Sequence, residues 1–203
     1  MTSISSPEDL TISESGFQSF LTSRQEPEWL SAKRQEAWQL YSDMQWPSRK
    51  EEQWMRSDLR GFSVDRYRLP SMETNRSLEA SGIPQWLSEG VVPAGVIQTL
   101  DGVVFSDLSD AAKTHPQIVQ RFLHSIVQPN VDRFAALHAA VWSGGQFLYV
   151  PRGVVVDCPF RVAAGLSDGC FDSGHTLIVI EEGAEAAFLY ESNSSEEHSG
   201  GLH

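Results

Sequence analysis

The side chains best suited to chemistry in this sequence are two cysteines, six histidines and a few clustered carboxylates. Cys158 and Cys170 have no second pair with which to build a disulfide framework, and they do not form the C-x-x-C spacing of zinc or redox sites. They read as reduced, small apolar residues. None of His115, His124, His138, His175, His198 and His203 pairs with another His or Cys at a recognised ligand spacing. His115 precedes a proline in an expected loop, and His124 and His138 fall on expected helices as packing or surface residues. His175 stands at a strand start, five residues after Cys170. Stacked strands could bring those two together, but a metal site needs three or four convergent ligands. No metal site is therefore assigned. Glu181-Glu182 and Glu196-Glu197 are adjacent pairs, and neighbours along a strand point to opposite faces, so they read as solvated turn charges. The nucleophile elbow, the phosphate loop and the H-E-x-x-H zinc helix are all missing. Ser143-Gly144-Gly145-Gln146 leads into a strand rather than a helix, so it reads as a turn and not as a phosphate cradle. The residues assign no catalytic group and no bound cofactor.

The whole-chain properties agree. The formal net charge is −12, with the C-terminal half the more acidic, which opposes binding to nucleic acid or acidic lipid. No apolar run is long enough to cross a bilayer and no secretory leader opens the sequence, so a cytoplasmic location is expected.

Five stretches are expected in order. Residues 1–16 are Ser/Thr-rich and read as a flexible tail. Residues 17–62 form an N-terminal helical region, where Leu30, Ala37, Tyr41 and Met44 share one helical face until Pro47 stops the helix. Ser48 and Glu51 have capping-box spacing, which predicts a short helix bearing Trp54. Residues 63–94 read as a linker. Residues 95–145 are a mixed lead-in. It holds a strand, an Asp101-Gly102 turn and a return strand, then two helices striped by Ile118, Phe122 and Ile126 and by Phe134, Leu137 and Val141. Asn130 is expected to cap the second. From 146 to 203 short apolar runs alternate with turn residues: FLYV, VVV, FRVAA, TLIVI and AAFLY. The gaps are too short for crossover helices, which excludes a doubly wound α/β sheet. They leave antiparallel hairpins or the coils of a β-solenoid. TLIVI, apolar on both sides, suits a strand covered on both faces. Five or so strands make a poor free-standing solenoid, so a longer parent chain is expected.

The assembled residues resemble those of the SufB/SufD family of SUF iron–sulfur cluster assembly scaffolds. Pro47-Ser48-Arg49, Glu52, Trp54 and Asp58-Leu59 are similar to a motif of the SufD N-terminal region, although Met55-Arg56-Ser57 stands where Arg-Tyr-Thr is usual. VDRFAALHAAVWSGGQFLYVPRGVVVDCPFRV and FDSGHTLIVIEEGAEAAFLYES resemble the opening of the family's β-helical core. The resemblance implies an α+β fold: an N-terminal helical region followed by the first coils of a right-handed parallel β-helix, here truncated.

It also implies a non-catalytic, SufD-like scaffold that works with SufB-like and SufC-like partners, or as a homodimer when SufB is absent. ATP would sit on the SufC ATPase, and the iron–sulfur cluster would be a transient guest of the complex. The alternative is a SufB-like scaffold that binds the nascent cluster directly. SufB carries a cysteine in a Lys-Gly-Val-x-Cys-Pro context. Here Gly153-Val154 is followed by Val155-Val156-Asp157-Cys158-Pro159, with the Cys-Pro pair two residues further on. Cys158 is therefore kept as a candidate sulfur or iron contact. A more remote alternative is a carbohydrate-active β-helix enzyme, which would need carboxylates stacked in one groove.

Overall fold

The computed structural model describes residues 11–69, 102–157, 159–165 and 173–193. Helix α1 (Glu14–Ser23) is capped by the Ser13 hydroxyl, which accepts from the Gly16 amide at 3.2 Å. Helix α2 (Glu28–Asp43) follows Pro27 and buries Leu30, Arg34, Ala37, Trp38 and Tyr41, the expected stripe with a charged residue inside it. The chain after Pro47 makes successive turns instead of the expected helix. Glu51, Trp54 and Ser57 each donate to the carbonyl three residues back. Only half of the capping box forms: the Ser48 amide donates to Glu51 at 2.8 Å. Trp54 stacks on Phe134 with centroids 5.2 Å apart, so aromatic packing holds this segment without a regular helix.

Strand β1 (Val104–Asp107) leads straight into helix α3 (Leu108–Thr114), which Asp107 caps by accepting from the Ser109 amide at 2.7 Å. The first arm of the expected hairpin lies outside the described residues. Helix α4 (Pro116–Phe122) starts on a proline, which has no amide to leave unpaired. It stops one turn before Ile126, which is 94% exposed instead of completing a buried stripe. Helix α5 (Arg133–Val141) is capped by Asp132, which accepts from the Ala135 amide, and not by Asn130.

Four further strands follow: β2 (Gln146–Val150), β3 (Phe160–Gly165), β4 (Leu177–Ile180) and β5 (Phe188–Asn193). β1 pairs antiparallel with β2, which pairs parallel with β4; β3 pairs parallel with β5. From β2 onward consecutive strands therefore do not pair, and the short gaps carry the chain between two sheets. Phe147 lies against Leu177 and Val150 against Ile180, each thirty residues on. Isolated bridges at Gly144–Gly174 and Val155–Glu185 keep the same offset. It falls to twenty-eight at Phe160–Phe188. The first pass thus spends two more residues than the second between Val155 and Phe160.

The result is three layers. One face of the β1-β2-β4 sheet, through Val104, Phe147, Leu177 and Val179, packs on Leu30 of α2 and on α3 and α4. The other face, through Phe105, Leu148 and Val150, packs on Phe160 and Val162 of β3. A third cluster joins α1, α2 and α5 around Phe17, Trp38 and Leu137. β4 departs from the expected double coverage. Leu177 and Val179 are buried, whereas Ile178 and Ile180 are 42% and 40% exposed on the side facing β5.

Candidate functional site

The repeat that the pairing exposes also builds the chemically richest junction. Ser143-Gly144-Gly145 and Ser173-Gly174-His175 lie side by side. The Ser143 amide donates to the Ser173 carbonyl at 3.1 Å, and the His175 amide donates to the Gly144 carbonyl at 2.9 Å. Gly145 has φ +134, and a Cβ there would collide with the carbonyl oxygen of His175. The expected turn is thus the place where one backbone passes directly against another, and glycine alone permits it.

His175 is thereby pressed onto α5. Its Nδ1 faces Nε2 of His138 at 2.8 Å, and Nδ1 of His138 faces the Ser173 hydroxyl at 3.0 Å. His124, at φ +59 just after α4, sets its ring edge-on to His175 with centroids 5.1 Å apart. Its Nε2 is buried with no hydrogen-bond partner. The Trp142 ring lies 6.0 Å from His175. Sequence spacing gave no hint of the trio, because the three rings come from the α4–α5 connection, from α5 and from the entry to β4. The signal that would have found it is the recurrence of Ser-Gly at positions 143 and 173, which sets both passes in register.

Beneath the histidines lies a buried ion triad. Glu26 accepts from Arg24 at 2.5 Å and from Arg34 at 2.7 Å and 2.9 Å. Arg34 is fully buried. It donates to the Ala140 carbonyl at the end of α5 and stacks over Trp142 at 4.2 Å. Arg24 donates to the Ser143 carbonyl at 3.1 Å. Two cations against one anion leave the triad net positive, with the Arg34 guanidinium on a C-terminal carbonyl of α5, the negative end of its dipole, and Arg24 on the Ser143 carbonyl just beyond it. Burial pulls the Arg34 guanidinium down to about 10 despite Glu26.

This charge and the loss of water keep the imidazoles neutral. Burial first, then His175, His138, Lys33 and Arg34, push His124 down to about 3. Burial, then His138 and Arg34, push His175 down to about 4, and burial and Arg34 lower His138. The positive surroundings oppose a metal cation as they oppose a proton. Among the described residues no group of three His, Cys, Asp or Glu side chains is arranged to hold a metal ion. Chemically, the cluster is a neutral hydrogen-bonded chain joining the helices to the second strand pass.

The other candidates stand apart from it. Cys158 and Cys170 lie outside the described residues, as do Glu196 and Glu197. Asp157 and Pro159 flank Cys158 within the two-residue excess of the first pass. The paired turn carboxylates at 181 and 182 have partners. Glu181 accepts from the Tyr149 hydroxyl at 2.8 Å and from the Arg152 amide, and Glu182 pairs with the Arg152 side chain. Among the described residues no helix is long and apolar enough to cross a membrane.

Comparison with known proteins shows what the chain is similar to. Residues 92–162 match the family described as SufBD protein N-terminal region. The chain is 30% identical over 194 residues to an iron–sulfur cluster assembly SufBD family protein of Staphylococcus haemolyticus, an alignment covering 82% of this chain and 40% of that protein. It is 40% identical over 92 residues to a SufBD family protein of Synechocystis, covering 44% of this chain and 19% of the relative. It is 36% identical over 89 residues to the iron–sulfur cluster assembly protein SufB of Bacillus subtilis, covering 43% and 19%. In each of these alignments the chain spans 40% or less of the relative's length.

Proposed function

We propose, from the premise that the chain belongs to the SufB/SufD family, that it supplies the helical cap and first β-helical coils of a non-catalytic scaffold for iron–sulfur cluster assembly. The observation that carries this reading is the parallel stacking of β2 on β4 at a thirty-residue offset. Gly153 and Gly183 repeat the same φ of +72 in equivalent turns, as successive coils of a solenoid would. Val162 pairs with Tyr190, and Ile178, Ile180 and Tyr190 continue the apolar rows begun by Leu148, Val150 and Val162. They leave an apolar edge on which a further coil fits. Such a stack presents rigid surfaces to partners. The cluster under assembly is its cargo. A SufB-like protein and a SufC-like ATPase are its partners, and the cytoplasm is its location.

The test is co-elution. The intact protein, mixed with SufB and SufC homologues, is expected to leave a sizing column as one complex; separate elution of all three would overturn the assignment. A second reading, direct cluster binding of the SufB kind, is favoured by the identity to the Bacillus subtilis SufB and by the lengthened first pass between Val155 and Phe160. Anaerobic reconstitution with iron and sulfide separates the two. Equal visible absorption from wild type and Cys158→Ser supports the SufD-like scaffold, and loss of absorption in the variant supports cluster ligation by Cys158.

A further inference from the structure

We infer that His124, His138 and His175 form a proton-sensitive clasp that holds the second strand pass on the helical layer above neutral pH and releases it on acidification. The inference is independent of the scaffold reading, because it rests on hydrogen counting at a packed junction. His138 Nε2 and His175 Nδ1 face each other at 2.8 Å. The contact requires that one of the two nitrogens carry a proton and the other a lone pair. Ser173 adapts to either arrangement, since its hydroxyl can donate to or accept from His138 Nδ1. One extra proton on His138 is therefore compatible with the geometry, with both its nitrogens donating. A proton on each ring is not: two N–H groups would then point at each other, and the bond must break.

Among the described residues, the charges that act on the rings oppose even the first proton. The charged groups acting on the rings are Lys33 and Arg34 of α2, both positive. Glu26, the acid that pairs with Arg34, already accepts from two arginines. Trp142 and Ser173 supply no charge. His124 adds a third imidazole edge-on to His175, with its Nε2 buried and unpartnered. Protonating that nitrogen would place a cation in a site with no acceptor. A proton thus either stays out or opens the junction so that water can solvate it.

What would open is defined by the backbone. The Ser143–Ser173 and Gly144–His175 hydrogen bonds and the entry to β4 all hang on this contact, and the strands beyond them pair with β2 and β3. The folded values of all three histidines lie below the ordinary value near 6.5. Their stabilising contribution is accordingly complete above about 6.5 and is lost as pH falls toward the folded values.

Amide hydrogen exchange on the full chain tests the clasp. After correction for intrinsic rates, residues 143–146 and 173–177 are expected to open at least about tenfold more at pH 5.5 than at pH 6.5, since each proton taken up contributes about tenfold per pH unit. Amides of α1 should not follow. In the double variant His138→Gln/His175→Asn, whose amides keep a hydrogen bond while His124 alone still titrates, that pH dependence should fall to the share of one proton. Exchange that does not respond to pH in the wild type, or that responds equally in the variant, overturns the inference. Should the variant fail to fold, ring titration of the wild type by NMR decides. Neutral His138 and His175 rings down to pH 5, followed by joint loss of the native 173–177 signals, support the clasp. Free titration near 6.5 with those signals intact overturns it.

Discussion

At the scale of single residues, two buried features carry the most energy. Glu26 neutralises Arg24 and Arg34 in a nearly water-free site, so removing its charge strands two buried cations. Glu26→Gln is expected to destabilise the fold by about 3–5 kcal/mol, read as a lower urea midpoint at unchanged slope. Burial alone would raise the Glu26 carboxyl, but Arg34 and Arg24 outweigh it and hold the group below its ordinary value. Its contribution is therefore complete above about pH 4.5 and is lost as pH falls through the depressed folded value. The second feature is Gly145. Gly145→Ala combines a left-handed φ with collision against the His175 carbonyl, whereas Gly183→Ala shares only the φ, its surroundings being open apart from Gly153. The expected costs are about 3 kcal/mol or more for the first and about 1 kcal/mol for the second, measured side by side in denaturant.

At the scale of elements, helix ends and strand coverage decide the geometry. α5 carries His138 and offers its Ala140 carbonyl to Arg34, so its start matters beyond its own length. Asp132→Ala removes the side chain that accepts from the Ala135 amide and is expected to cost about 1 kcal/mol, whereas Asn130→Ala should change thermal stability little. β2 is covered on both faces, by helices through Phe147 and by β3 through Leu148. Leu148→Ala should therefore cost about 2–5 kcal/mol, while Ile178→Ala, on the open side of β4, should cost much less. Comparison of the two midpoints checks that coverage, and not residue type, sets the energy.

At the scale of the whole molecule, the helices and strands share their cores. Leu30 of α2 packs in the same cluster as Phe147 of β2 and Val179 of β4, and Arg34 ties α2 to the end of α5. Unfolding of this unit is expected to be cooperative. Tryptophan fluorescence, to which the buried Trp38 and Trp142 contribute among six tryptophans, and far-ultraviolet circular dichroism should give coincident denaturation curves above pH 7. Separate midpoints would show that the helical layer and the strands are independent units.

Much of this was legible in the residues themselves. Apolar spacing at three and four located α2 and α5, and the short runs FLYV, FRVAA, TLIVI and AAFLY became β2 to β5, because local periodicity reports which side of an element must be buried. Asp107 caps α3 by a contact that reaches only two residues along the chain, a range at which sequence is informative. Apart from the α5 cap, where Asp132 stands in place of Asn130, the departures came from distant partners. Ser48 and Glu51 were drawn into turns when Trp54 stacked on Phe134, and Ile178 was left open because coverage depends on what packs across the sheet. The histidine trio and the arginine triad were invisible for the same reason. His138 and His175 meet only because one strand pass lies on the other thirty residues later, at a glycine that lets the backbones touch. Local sequence thus determined where helices and strands form; the register between passes, a long-range property of the fold, decided which side chains meet and what charge they bear.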